Sequence, residues 1–144
     1  MKVVTRSPEE TIEFAESIGQ KLKGGEVIAY IGGLGVGKTT FTRGLCVGLG
    51  IGDIVTSPTF SLVNEYRSYK SDIMLCHFDM YRISDSLDLE TTGFYDYMNG
   101  NNILAIEWSE NISDSIPDNT IYIKITRLDE NKREIEIFGD ERFG

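Results

Sequence analysis

The chain has 144 residues, of which 40% are hydrophobic and 26% charged, proportions typical of a soluble globular protein with a single core. Its net charge of −9 argues against a protein that grips nucleic acid broadly, because that function needs a basic surface. The sequence has no apolar leader and no apolar run near the ~18 residues of a membrane helix, so we expect one cytoplasmic domain over residues 1–144, without membrane contact.

The first predicted helix starts at a capping box. In "SPEE" (7–10), Ser7 is the N-cap residue, a proline follows in the first turn, and a glutamate can reach back to the cap. Apolar residues continue at helical spacing until a Gly-Gly pair ends the helix. The next segment, "EVIAYI" (26–31), is a short apolar run with β-branched residues, which is typical of a strand covered on both faces.

A glycine-rich loop and a second helix follow this strand. The stretch "GGLGVGKTT" (32–40) matches G-x-x-x-x-G-K-[ST] in full, and the predicted helix extends from Lys38 to Leu49. Glycines let backbone N–H groups curl around phosphate oxygens, and the helix N-terminus adds partial positive charge. Lys38 can then reach the β- and γ-phosphates, and Thr39 can offer its hydroxyl to Mg²⁺. The motif predicts binding of a nucleoside triphosphate but does not specify the reaction.

The rest of the chain is predicted to be richer in strands. We expect strands at residues 59–66, 73–81 and 102–108, a partly helical segment at 87–98, and a C-terminal hairpin of residues 120–126 and 133–138. Strands interleaved with helices predict an α/β fold, a P-loop NTPase-type sandwich with a mixed, mostly parallel central sheet. Cys46 and Cys76 stand alone in apolar segments, which indicates reduced core thiols rather than a disulfide or a zinc site.

Two acidic residues follow apolar strands. In "MLCHFDMY" the period of two predicts that His77, Asp79 and Tyr81 share one face. In "ILAIEW" the apolar run ends at Glu107, the place of a Walker-B-type acid. Two acids beside a P-loop favour binding of a metal and activation of an attacking oxygen. From the residues alone, His77 is either a hydrogen-bonded structural residue or part of the site, and Trp108 is either a core residue or an exposed contact beside the site.

Four stretches occur together in the order "GxxGxGKTTFTRGL", "TSPTFSLVNEY", "HFDMYR" and "IEW". This set resembles the bacterial TsaE family, the YjeE/YdiB-type ATPases, over nearly the whole chain. The resemblance implies a small Mg²⁺-dependent P-loop ATPase, slow when alone, whose ATP hydrolysis drives or resets a complex of TsaB and TsaD. The product of that complex is N6-threonylcarbamoyladenosine at position 37 of tRNAs that read ANN codons, and the TsaE-like chain would contact tRNA only indirectly.

The resemblance also implies roles for individual residues, by motif position. Catalysis would depend on Lys38, Glu107, Asp79 and Thr59, the last as a threonine that senses the γ-phosphate. The nucleotide would be bound by Gly35, Val36, Gly37, Lys38, Thr39 and Thr40, with Ser7, Thr11 and Arg133 near the adenine. The Mg²⁺ would be held by Thr39, Glu107 and Asp79, and the residues beside the site or facing a partner would be Trp108, His77, Tyr81 and Arg82.

One position departs from the TsaE pattern. The family's loop often has an aspartate where Gly33 stands. The phosphate cradle is made of backbone N–H groups and does not need that side chain. We therefore expect any missing contribution to concern regulation or partner contact.

Two other functions are open on the residues alone. A small-molecule kinase would need a mobile lid with arginines over an acceptor pocket, but the arginines after the P-loop helix are scattered. A GTPase-type switch usually carries an N-K-x-D motif, whereas the sole "NK", Asn131-Lys132, is followed by Arg133 and Glu134. The motifs therefore favour the ATPase, with the kinase as the alternative.

Overall fold

The computed structural model describes residues 1–33, 35–52, 62–98 and 100–143, and in these ranges one sheet of seven strands is flanked by helices. The strands are β1 (Lys2–Thr5), β2 (Val27–Ile31), β3 (Val63–Arg67), β4 (Met74–Asp79), β5 (Ile103–Glu107), β6 (Ile121–Arg127) and β7 (Arg133–Phe138). The helices are α1 (Pro8–Gly19), α2 (Lys38–Gly48), α3 (Ser86–Thr91) and α4 (Phe94–Tyr97), with 3₁₀ segments at Ser109–Ser115 and Glu141–Phe143.

The sheet is parallel in its centre and antiparallel at both edges. Its order is β1-β7-β6-β2-β5-β4-β3, and the neighbours among β6, β2, β5 and β4 run parallel. The β6–β7 pair is the predicted C-terminal hairpin, and β3 pairs antiparallel with β4. This architecture confirms the predicted α/β fold with a mixed sheet. Because β2, β5 and β4 are parallel neighbours, their carboxyl ends meet at one edge, where open α/β sheets bind ligands.

The core is divided between the two faces of the sheet. On one face, α1 and α2 cover a cluster that includes Tyr30, Phe41 and Leu75. On the other face, α3 and α4 cover a cluster that includes Phe78 and Phe94. Cys46 belongs to the first cluster and Cys76 to the second, and both are buried. Their burial confirms the prediction that both are core thiols, and the sheet lies between them.

Helix α1 begins as its capping sequence predicts and lies close to α2. The Ser7 hydroxyl oxygen accepts a hydrogen bond from the N–H of Glu10 at 3.1 Å. The last residue of α1 is Gly19, earlier than the predicted Gly-Gly pair. Gly44 permits the close approach of α2, since a Cβ there would lie 2.5 Å from the Cβ of Ala15 and 2.6 Å from the carbonyl oxygen of Ile12. The close contact between α1 and α2 thus depends on glycine's lack of a side chain at residue 44.

Three predicted elements differ in extent. The strand predicted at 59–66 begins at Val63, with residues 59–61 outside the described ranges, and the strand predicted at 73–81 ends at Asp79. The partly helical segment is two short helices, α3 and α4, joined through Gly93 at φ 77°. Strand β1 was not predicted. No helix in the described ranges is long and apolar enough to cross a membrane.

Candidate active site at the carboxyl edge of the sheet

The glycine-rich loop joins the end of β2 to the start of α2, as the motif predicts. Gly35 and Gly37 have φ values of 73° and 110°, in the left-handed region that glycine adopts without strain. Gly37 is the N-cap residue of α2, and within the described ranges no side chain caps this helix. An uncapped helix N-terminus after a glycine-rich loop is the arrangement of a phosphate site.

The P-loop lysine points back towards the sheet edge. Lys38 is only 6% exposed, and its Nζ donates to the carbonyl oxygen of Gly32 at 3.2 Å. The same Nζ lies 3.2 Å from Oε1 of Glu107, the acid at the end of β5. Two residues that are distant in sequence thus form a buried ion pair at the site. This pair is the central feature of the site.

Glu107 is held as a carboxylate by two different partners. Its Oε1 contacts Lys38, and its Oε2 lies 2.6 Å from Nε2 of His77, which is fully buried. Burial alone would raise the pKa of the Glu107 carboxyl. The hydrogen bond and electrostatic effect of His77, together with the Lys38 ammonium, outweigh burial and hold that pKa below its ordinary value. The acid remains ionised at neutral pH, ready to accept hydrogen bonds.

The second predicted acid stands directly beside the first. Asp79 ends β4 and is the register partner of Glu107 in the parallel pairing. Its Oδ1 accepts a hydrogen bond from the N–H of Tyr81 at 3.0 Å, which orients the carboxylate at the start of an exposed turn. Thr39 lies in the first turn of α2, next to Lys38. The structure thus places Asp79 and Glu107 side by side, with the P-loop on the neighbouring strand.

The side-chain oxygens of Thr39, Asp79 and Glu107 fit the chemistry of Mg²⁺. The described residues contain no group of three or more acids, histidines or cysteines arranged to enclose a metal. Mg²⁺ at a nucleotide site does not need such a cage, because it keeps waters and substrate phosphates and takes only one or two protein ligands. The hydroxyl of Thr39 and the carboxylates of Asp79 and Glu107 are hard oxygen donors of the required type.

Arg133, at the start of β7, is attached to the P-loop. Its Nε donates to the carbonyl oxygen of Val36 at 2.7 Å, and its NH1 donates to the carbonyl oxygen of Asp129 at 2.9 Å in the hairpin turn. A small cleft beside this residue is lined by Pro8, Gly37, Thr40, Glu130, Asn131 and Arg133. The turn between β6 and β7 thus borders the nucleotide loop.

Two further residues predicted near the adenine lie at the same corner. Ser7 is the half-buried cap of α1 and immediately precedes Pro8 of the cleft. Thr11 is buried, and its hydroxyl shares a 2.6 Å hydrogen bond with that of Thr5 in β1, the register partner of Arg133. The structure therefore brings Ser7, Thr11 and Arg133 to one region, with the Thr11 hydroxyl engaged inside the protein.

Trp108 follows Glu107 in a conformation that bulky residues rarely adopt. Its φ and ψ of 59° and 40° lie in the left-handed region, where only a constrained backbone holds a tryptophan. Its ring is half-buried against the core cluster under β4 and β5 and meets the ring of Tyr81 edge-on, with centroids 4.9 Å apart. Tyr81 is 63% exposed, and Arg82 beside it is also exposed. The strand ends before Tyr81, so the predicted alternation does not extend to it.

Two remaining predictions concern the loops. Thr59 lies outside the described residues, so its predicted role remains a prediction. Gly33 is exposed, and a Cβ added there would meet nothing within 4 Å. An aspartate would fit at this position, and the glycine is not required by packing.

Sequence reasoning missed a buried pair behind the lysine. The Tyr30 hydroxyl and the Thr42 hydroxyl share a 2.6 Å hydrogen bond, and Thr42 also donates to the carbonyl oxygen of Lys38 at 2.8 Å. Burial raises the pKa of the Tyr30 phenol well above its usual range, so the hydroxyl stays protonated. The sequence signal for this pair was Tyr30, a polar-tipped residue within the otherwise apolar strand β2.

The fold and the loop together define the class: a P-loop nucleotide-binding protein. Comparison with known proteins gives the family. Residues 5–135 match the family described as "Threonylcarbamoyl adenosine biosynthesis protein TsaE". A protein of Aquifex aeolicus named tRNA threonylcarbamoyladenosine biosynthesis protein TsaE is 43% identical over 141 residues, covering 95% of each chain. A relative of the same name from Bacillus subtilis is 38% identical over 135 residues, covering 94% of this chain and 83% of its own.

A solved structure agrees with these relatives. The crystal structure of Bacillus subtilis YdiB matches with a TM-score of 0.75 and 33% identity, covering 99% of this chain and 88% of that one. The chain therefore belongs to the TsaE family, as its motifs predict, and the family is one of threonylcarbamoyladenosine biosynthesis proteins.

Proposed function

We propose that this protein is an Mg²⁺-dependent ATPase that assists TsaB and TsaD homologues in forming N6-threonylcarbamoyladenosine on tRNA. The observation that carries the proposal is the 3.2 Å contact between Lys38 Nζ and Glu107 Oε1 at the carboxyl edge of the sheet. It joins the phosphate-binding lysine of the P-loop to the acid best placed to act on a water molecule. Membership of the TsaE family supports a role for this ATP hydrolysis in the biosynthesis of threonylcarbamoyladenosine.

The residues suggest how hydrolysis proceeds. The N–H groups of the loop and of the uncapped α2 bind the phosphates, and Lys38 leaves Glu107 for the phosphate oxygens. Oε1 of Glu107 is then open to accept a hydrogen bond from a water molecule and to orient it towards the γ-phosphate. Mg²⁺, when bound through Thr39, Asp79 and Glu107 oxygens, would neutralise charge that develops on the phosphates.

The charge distribution supports action through a protein partner. Residues 71–123 contain ten acidic residues against a single arginine, a balance of −9, whereas the rest of the chain has 13 acidic and 13 basic residues. The whole net charge therefore resides in the segment that forms β4, β5, α3 and α4. Acidic residues concentrated in this segment would repel tRNA phosphates and would suit a basic protein surface, in keeping with an indirect contact with tRNA.

Two substitutions test the site. Lys38→Ala and Glu107→Ala should each lower ATP hydrolysis by about 100-fold or more while the fold is retained, because each removes a group that acts in the transition state. Release of inorganic phosphate measures turnover, with and without the TsaB and TsaD homologues, which should raise the wild-type rate. Wild-type turnover in both variants would refute the site, and transfer of phosphate to a metabolite instead of water would identify a kinase.

A further inference from the structure

His77 is a buried polar side chain with a single hydrogen-bond partner in the described part of the chain. Its exposure is 0%, and Nε2 lies 2.6 Å from Oε2 of Glu107. Within the same ranges Nδ1 has no partner. Because Glu107 is ionised and a carboxylate only accepts hydrogen bonds, Nε2 must be the donor. The imidazole thus directs its N–H at the site acid and at no other described group.

The surroundings of the ring fix its orientation without adding hydrogen bonds. The Tyr30 ring packs edge-on against the imidazole, with centroids 6.3 Å apart and planes at 68°. Tyr30 is in turn bonded to Thr42, whose hydroxyl donates to the carbonyl oxygen of Lys38. The imidazole is therefore held in place through β2 and α2, the strand and the helix on either side of the P-loop. Packing fixes the position of the ring, and the hydrogen bond from the ring fixes the position of Glu107.

A histidine is a costly choice for a core position. Nδ1 is a buried nitrogen without a partner, which costs free energy, and the one described hydrogen bond that offsets this cost joins Nε2 to Glu107. A buried residue that is unfavourable for stability is expected where function requires it. The function must act through Glu107, the group that His77 contacts.

We infer that His77 is a positioning residue for Glu107, an inference that rests on the proposed function. Lys38 and His77 occupy different oxygens of the carboxylate, Oε1 and Oε2. When a nucleotide draws Lys38 away from Oε1, His77 retains Oε2 and prevents the side chain from rotating. Oε1 then keeps the direction in which it orients water. His77 accordingly sets the rate at saturating ATP and not the affinity for nucleotide.

Three substitutions separate this role from a structural one. The amide nitrogen of His77→Gln reaches about as far as Nε2, the shorter amide of His77→Asn reaches only the place of Nδ1, and His77→Leu has no donor. We expect His77→Leu to fold with a lower melting temperature, because Oε2 of Glu107 loses its hydrogen bond, and to bind adenylyl imidodiphosphate as the wild type does. Its kcat should fall about tenfold or more, as on loss of a partner that orients an active-site group.

The glutamine variant provides the rescue. His77→Gln should recover most of the kcat, whereas His77→Asn should resemble His77→Leu. An unchanged kcat in a folded His77→Leu protein would overturn the inference, and so would a folded His77→Gln protein no more active than His77→Leu. A fall in affinity for adenylyl imidodiphosphate with kcat preserved would also overturn it, because His77 would then serve binding.

A second readout does not depend on turnover, so it separates failure of this inference from failure of the proposed function. The chain has one histidine, and a tag-free protein with ¹⁵N-labelled histidine gives one imidazole signal set. We expect an Nε2–H resonance that exchanges slowly with water, disappears in Glu107→Ala and persists when adenylyl imidodiphosphate binds. Loss of the resonance on binding would show that His77 releases Glu107 and would overturn the inference, whether or not the wild type hydrolyses ATP.

Discussion

At the scale of single residues, the site is organised around one carboxylate. In the proposed mechanism, Glu107 lies between a lysine that the nucleotide draws away and a histidine that packing holds in place. A carboxylate with one exchangeable and one permanent partner can change its exposure to water without changing its position. In the proposed mechanism, this arrangement lets an acid with only 9% exposure act on a water molecule.

The ionisation of Glu107 predicts a pH dependence of stability. Its pKa is lower in the folded chain than the ordinary 4.5, so the carboxylate's contribution is present above that value and is lost as pH falls through the lower folded value. Glu107→Gln should therefore be less stable than the wild type at pH 7, by roughly 3 kcal/mol, because it breaks a buried pair. The difference should narrow below about pH 4.5.

Urea unfolding of both proteins between about pH 7 and pH 3 measures that difference. The exposed acid Glu110, changed to Gln, controls for the loss of one negative charge near the site. A gap between wild type and Glu107→Gln that stays constant across this range would contradict the assignment of Glu107 as an ionised, paired group.

At the scale of elements, the position of the P-loop depends on how closely α2 lies against α1. Gly44 makes that distance possible, because any Cβ there would overlap Ala15 and the backbone of Ile12. Gly44→Ala should therefore destabilise the fold by about 1–3 kcal/mol, despite the higher helix propensity of alanine. Thermal unfolding measures the effect. Gly33→Ala, where a Cβ meets nothing within 4 Å, is the matched control, and equal melting temperatures for the two variants would refute the packing account.

The sequence was informative where structure is set locally. The P-loop, the capping of α1 by Ser7 and the acids at the ends of β4 and β5 follow from short motifs and from strand periodicity. Strand β1 could not be predicted in this way, because "KVVT" becomes a strand only by pairing with β7 from the other end of the chain.

The contacts between the site residues could likewise not be predicted from local sequence patterns. No periodicity indicates that Lys38 pairs with Glu107, or that His77 takes the second oxygen of the same acid. Those contacts depend on the order of strands in the sheet, which places β4 beside β5 and β5 beside β2. The places of Lys38, Asp79 and Glu107 at the ends of their elements were thus predictable, and the contacts between the side chains were not.

At the scale of the whole molecule, the candidate nucleotide site takes some of its residues from the acidic segment 71–123. The segment that holds the entire net charge also supplies Asp79, Glu107 and Trp108. A partner bound to that segment near the exposed Tyr81 would lie close to the site acids, and the nucleotide and the partner would then influence each other's binding. We therefore expect the nucleotide cycle of this chain to be required by the partner complex.

The most direct test of that central claim is reconstitution of tRNA modification from purified TsaB and TsaD homologues, tRNA, ATP and the threonylcarbamoyl donor. We predict repeated turnover to N6-threonylcarbamoyladenosine only when the wild-type chain is present, with Lys38→Ala and Glu107→Ala giving no more product than its omission. Equal yields of modified tRNA with and without the chain, or full support by both variants, would contradict the account.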